Sequence, residues 1–389
     1  MHFTTRLALL GLVATVSAAP FGNSTKSAVI PLKLNIKTSS AKILVTKGRN
    51  RLDYINGVEQ SKIIVNGGIT NEDVSYLAPV TIGNHSWNLI VDTGSSLTWC
   101  GAHDERRYRQ TSTGESTGSV VSSSYGSGLF LGSHYSDITS VGGLTVKYQS
   151  IGAAIFSLGF NENVDGIFGL GPISLTVGLV EDTNLVPTFL NNLMTQGSIS
   201  TEVFGLYLKP GSGSDTSDAD GELTIGDINT ARYTGELSYF PVLTDSLAAV
   251  HWGLEIEAFT FGLITLASFV ECIIDTGTTM IYIPRWAYSA FLDAANGETD
   301  FASGLAVFTT KPTANFGIRF GSITYDLTPE QYLVPEAQYK DLGLTSGKYY
   351  AWISDGGDSE VNTVIGQKFL ENYYSVFDTT NARIGFATR

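Results

Sequence analysis

Cysteine and histidine are nearly missing from this sequence, with two and five among its 389 residues. That leaves too little material for a disulfide framework or a metal cluster, so no metal and no cofactor are expected. Charge is sparse as well, at 15 % against 43 % hydrophobic residues, which excludes an intrinsically disordered chain. Positive charge is scarcest over most of the chain. Of 23 Lys and Arg, nine fall in residues 1–65 beside only two of the 37 acids, leaving 14 bases against 35 acids for residues 66–389. A body that acidic argues against nucleic acid or an anionic membrane as partner, and it suits work at low pH, where protonated carboxylates no longer repel one another. Long apolar runs are lacking too. The one near the start, Leu7 to Val16, is too short to span a bilayer, and the chain closes Phe386-Ala387-Thr388-Arg389 without a lipid-anchor tail, so no membrane anchor is expected. Helix-periodic stretches are few.

What is present favours an all-β protein: abundant Gly, Ser, Thr, Val and aromatic residues in short runs with turn signals between them. Residues 1–19 read as a signal peptide, with small residues Val16-Ser17-Ala18-Ala19 for cleavage, and imply secretion. Residues 20–68 read as a basic propeptide, ending between Ile64 and Asn71. A cationic segment ahead of an anionic body predicts a removable lid held by charge and released on acidification. Asn23 and Asn84 are glycosylation sequons. Strand-like runs include Ser119–Tyr125, Leu144–Phe156, Val164–Leu170, Val203–Leu208, Glu222–Ile225 and Trp252–Phe261, with 211–221 a polar hairpin tip. Short helices are expected at Phe189–Gln196, at Trp286–Ala295 with an Asn296-Gly297 stop, and at Lys368–Tyr373.

One phrase occurs twice. Leu89-Ile90-Val91-Asp92-Thr93-Gly94-Ser95-Ser96 is matched by Cys272-Ile273-Ile274-Asp275-Thr276-Gly277-Thr278-Thr279. An apolar run reads as a buried strand, and a lone carboxylate at its end is costly to bury. The repetition predicts that Asp92 and Asp275 meet. Two carboxylates in one site cannot both ionise easily, so one pKa rises and the other falls, giving an acid and a base that can drive a water onto a carbonyl. Downstream of each copy comes an apolar pair and a Gly, Ile167-Phe168-Gly169 and Val364-Ile365-Gly366. Each reads as a strand crossing the Asp-bearing loop of its own half. A secreted β-sandwich lectin or structural protein, with Asp-Thr-Gly as turn chemistry only, does not account for this second repeat.

Together with Trp99, Tyr125-Gly126-Ser127-Gly128, Asp165-Gly166-Ile167-Phe168-Gly169 and Arg383-Ile384-Gly385-Phe386-Ala387, these phrases resemble the pepsin-like aspartic proteases over nearly the whole chain. The scarcity of Cys and the Asp-Thr-Gly-Ser-Ser-x-Thr-Trp form are similar to the fungal, polyporopepsin-like branch. The resemblance implies a bilobal pepsin-like fold with two pseudo-symmetric β lobes (69–238, bearing a flap, and 239–389) and a cleft between them. It implies a monomeric, secreted acid endopeptidase made as a zymogen, acting on protein or peptide substrates, with its own propeptide as the other partner. A catalytically inactive, peptide-binding member of the family is the alternative, though such relatives usually lose groups that are all present here. By resemblance Asp92 and Asp275 are catalytic, and Gly94 and Gly277 let backbone amides approach them. Thr93 and Thr276 cross-link the two loops, and Ser95 and Thr278 bond the outer carboxylate oxygens. Tyr125, Gly126 and Ser127 form the flap, with Tyr125 bonded to Trp99. Some fungal relatives carry Asp where Ser127 stands, which helps them accept Lys at the scissile bond. Its absence implies a preference for large apolar side chains, with Leu158, Phe160 and Ile167 as candidate pocket walls. Lys or Arg within 42–51 is expected to block the pair. Cys100 and Cys272 could pair, but they sit at positions the repeat does not relate and are expected to be buried free thiols.

Overall fold

The computed structural model describes residues 26–38, 40–57, 73–126, 128–211 and 220–389. The expected signal peptide, the Asn23 sequon, the end of the basic segment and Ser127 lie outside them.

Among the described residues strand is the main element, arranged in sheets of thirteen, seven and three strands. Its first half contributes β1 (Ala28–Lys37), β2 (Asp73–Ile82), β3 (His85–Asp92), β4 (Trp99–Cys100), β5 (Glu115–Tyr125), β6 (Gly128–Val141), β7 (Leu144–Leu158), β8 (Gly166–Gly169), β9 (Val203–Leu208) and β10 (Gly221–Ile225). After β11 (Thr234–Pro241), the hairpin of β12 (Gly253–Phe261) and β13 (Ile264–Ile274) begins the seven-stranded sheet. The last two strands, Tyr373–Asp378 and Arg383–Thr388, return to the thirteen-stranded sheet beside β9 and β11.

The repeat in the sequence is a repeat in space. β3 runs parallel to β8, so that Asp92 lies beside Gly169, and β13 runs parallel to the short strand Val364–Ile365. A Cβ on Gly169 would sit 2.5 Å from the backbone of Ser96, and one on Gly366 would collide with the carbonyls of Thr278 and Met280. Each supporting strand therefore reaches the loop after its Asp only because a Gly stands there.

The expected helices differ in their ends. The first spans Phe189–Thr195, closed by a Thr188–Asn191 capping box. The second spans Arg285–Ala295 and stops at Asn296 in the left-handed conformation. The third is only Gln367–Leu370, because Tyr373 already belongs to a strand. Between β9 and β10 the polar stretch 212–219 lies outside the described residues. Asn84 is exposed in the turn joining β2 to β3. Cys100 and Cys272 are free and buried, one in each half.

The basic segment is held by more than charge, which corrects the expectation. Ala28, Ile30 and Leu32 point inward at alternate positions of β1 while Val29 and Lys33 are exposed. β1 lies between β10, paired through residues 28–32, and β2, paired through residues 33–37. Where it changes partner, Leu34 N–H donates to Asp220 Oδ2 at 2.8 Å. The helix α1 (Ala41–Ile55) then buries Ala41, Leu44, Gly48, Arg51, Leu52 and Ile55, one face at helical spacing. Gly48 is needed because the Tyr282 ring occupies the space of a Cβ, and the Tyr282 hydroxyl donates to Val45 O at 2.9 Å. Among the described residues, no helix is long and apolar enough to cross a membrane.

Candidate active site

Leu89 and Val91 on β3, and Cys272, Ile273 and Ile274 on β13, are fully buried, and they carry the two carboxylates into the interior with them. Asp92 is 2 % exposed and Asp275 0 %. Each is held by the residues that follow it, in the same pattern. Gly94 N–H donates to Asp92 Oδ1 at 2.9 Å and Ser95 Oγ to Oδ2 at 2.5 Å. Gly277 N–H donates to Asp275 Oδ1 at 2.9 Å and Thr278 Oγ1 to Oδ2 at 2.7 Å. A Cβ on Gly94 would stand 2.5 Å from Asp275 Oδ1, and one on Gly277 2.5 Å from Asp92 Oδ1. The two loops thus approach so closely that only hydrogen fits at these positions.

Beneath the carboxylates, Thr93 and Thr276 bond reciprocally. Thr93 N–H donates to Thr276 Oγ1 at 2.9 Å, and Thr276 N–H to Thr93 Oγ1 at 3.0 Å. The hydroxyls donate in turn to the opposite strands, Thr93 to Ile274 O at 3.1 Å and Thr276 to Val91 O at 2.7 Å. Four buried backbone groups are satisfied by two side chains, and the two halves are tied at the level of the pair.

Arg51, from the last turns of α1, lies over both carboxylates. Its Nε is 3.2 Å from Asp275 Oδ2 and its Nη2 3.2 Å from Asp92 Oδ1. Burial opposes the guanidinium charge, but the two carboxylates raise its pKa above the ordinary value. Burial also pushes Asp92 up, to about 6, with Asp275 adding to the rise and Arg51, Ser95 and Gly94 opposing it. Asp275 goes the other way: burial would raise it, but Arg51, Thr278 and Gly277 outweigh burial and lower it. The pair is split, with Asp92 the more easily protonated member.

Tyr125 ends β5 and Gly126 begins the turn. A Cβ on Gly126 would collide with the backbone of Arg51, so this turn rests on α1. The Tyr125 and Trp99 rings stack with centroids 6.3 Å apart. Phe160 packs edge-on against both rings. Ile167 shares their cluster, whereas Leu158 is 42 % exposed. Sequence reasoning narrowed the blocking cation to residues 42–51 without choosing Arg51, because the choice depends on the direction of α1. It passed over His251, which carries no motif.

A two-halved β fold cross-linked beneath a repeated Asp-Thr-Gly defines the aspartic-type endopeptidases. The eukaryotic aspartyl protease family matches residues 75–389, and the chain belongs to that family. Polyporopepsin from Irpex lacteus is 37 % identical over 330 residues, covering 82 % of this chain and 95 % of that protein. Cathepsin E from Aquarana catesbeiana is 28 % identical over 336 residues, 81 % of this chain and 79 % of its own length. Gastricsin from Callithrix jacchus is 29 % identical over 338 residues, 81 % of this chain and 82 % of its own. The crystal structure of an aspartic proteinase from Irpex lacteus superposes with a TM-score of 0.77 at 31 % identity, covering 93 % of this chain and 97 % of that one.

Replacing Thr93 by Val keeps the shape but leaves Ile274 O and Thr276 N–H unpaired. The expected cost is about 2–4 kcal/mol of unfolding free energy, measured by denaturant titration. A loss below about 0.5 kcal/mol would show that the cross-link does not hold the halves together.

Proposed function

We propose that the chain is a secreted acid endopeptidase made as an inactive precursor, with Asp92 and Asp275 as its catalytic pair. The observation that supports this best is Arg51, which spans both carboxylates from a segment that the family match does not include. In this reading the pair shares one proton once Arg51 has left. The ionised member, Asp275, takes a proton from the attacking water, and the protonated Asp92 donates a hydrogen bond to the scissile carbonyl oxygen. The roles then reverse as the leaving amine is protonated. Gly94, Ser95, Gly277 and Thr278 keep both carboxylates oriented throughout, and Tyr125 with Gly126 and Ser127 closes over the peptide. Phe160 and Ile167 beside Tyr125, and Ser rather than Asp at 127, support a preference for large apolar side chains at the scissile bond.

The same geometry supports activation by acid. Arg51 favours the ionised form of both carboxylates, so by linkage their protonation weakens its hold. The lid is tightest with both ionised. It loses its grip on Asp92 as the pH falls through about 6, and on Asp275 at lower pH still.

The full chain should be inactive at neutral pH and should cleave protein after acidification, in a pepstatin-sensitive way that Asp92→Asn abolishes. No such activity between about pH 2 and 6 sinks the reading. Arg51→Met, which keeps the stem and removes the charge, should raise the pH midpoint of activation by about one unit or more; an unmoved midpoint would deny Arg51 its role. On a peptide library, cleavage should fall beside Phe, Leu and Tyr, and cleavage mainly after Lys would count against the apolar pocket.

A further inference from the structure

The two halves of the site differ in how far the strand pairing follows each carboxylate. In the first half, the pairing of β2 with β3 ends at Leu77 and Ile90, two residues short of Asp92. In the second, β12 and β13 pair Gly253 with Ile273, and Ile274 N–H donates to Trp252 O at 3.0 Å. His251 and Asp275 are the next residues along the two chains, and the charge of Asp275 acts on the imidazole.

We propose that His251 is a positioning residue for the reaction: as an imidazolium it holds Asp275 as the ionised member of the pair and extends cleavage to lower pH. The proposal rests on the reading of Asp92 and Asp275 as the reacting pair. His251 is 7 % exposed, and its Nδ1 has no hydrogen-bond partner among the described residues. Its backbone is fixed from both halves. Its own N–H donates to Ala248 O at 3.0 Å, Ser174 Oγ donates to Val250 O at 2.7 Å, and Trp252 Nε1 donates to Leu170 O at 2.9 Å. The segments packed here, 170–176 and 248–250, contain no charged residue. The charges that face the imidazole are Asp275 and, from α1, Arg51. Burial, then Arg51, lower its pKa to about 4, while Asp275 raises it. Departure of Arg51 removes one of the two depressing causes. The cation then forms in the range where a protease of this kind works, and it lies beside the carboxylate that must stay ionised there.

The test uses the full chain activated by acid, an uncharged peptide substrate, and the ratio of kcat/KM at about pH 3 to that at about pH 5. His251→Gln should lower this ratio roughly threefold or more, the equivalent of half a pKa unit, and His251→Lys should restore it. A ratio unmoved by His251→Gln overturns the proposal. A second measurement needs no His251 variant. The His251 imidazole titration followed by NMR should move to lower pH in Asp275→Asn, and an unmoved titration also overturns the proposal. Cleavage that survives Asp92→Asn would overturn the reading of the pair itself. Loss of cleavage in Asp92→Asn together with an unmoved ratio overturns His251 alone.

Discussion

Two carboxylates brought together out of water repel each other and lose their hydration, and the arrangement around Asp92 and Asp275 answers that cost. Gly94 and Gly277 remove the side chains that would stand between them. Two N–H groups and two hydroxyls point at the four oxygens, and the Thr93–Thr276 cross-link keeps the loops from springing apart. With α1 in place a guanidinium completes the set, so three buried charges form one hydrogen-bonded group. Breaking such a group by removing a single member costs more than forming it gains, because the remaining charges stay buried. Arg51 and the two carboxylates are thus parts of one electrostatic unit.

Much of this was legible in the sequence because the repeat is chemical as well as textual. A carboxylate at the end of a greasy strand is rare enough that two of them in the same words point to one site. The Gly of each supporting strand, placed against a backbone carbonyl or amide, could be found by the same comparison. The basic segment was harder. Pro31 has no N–H to give, and it falls in the half of β1 that pairs with β10 alone. The helix of α1 holds Gly48, Asn50 and Arg51 on its buried face, a stripe that reads as polar until the carboxylates it meets are known. Local pattern reports what a segment buries on average, and this one buries itself against a site two hundred residues away in places.

The place of β1 in its sheet adds something that the charges do not. A strand at an edge can peel away and return by the same route. β1 is divided between two partners, with Ala28–Leu32 against β10 and Lys33–Lys37 against β2. In the proposed activation, its departure would leave one row of unsatisfied amides and carbonyls on β10 and another on β2, which would relax or find other partners before the strand could come back. Opening and closing are then different events. Under the proposed activation the molecule would act as a latch with memory of its past conditions, and a return to neutral pH would not by itself return it to its starting state.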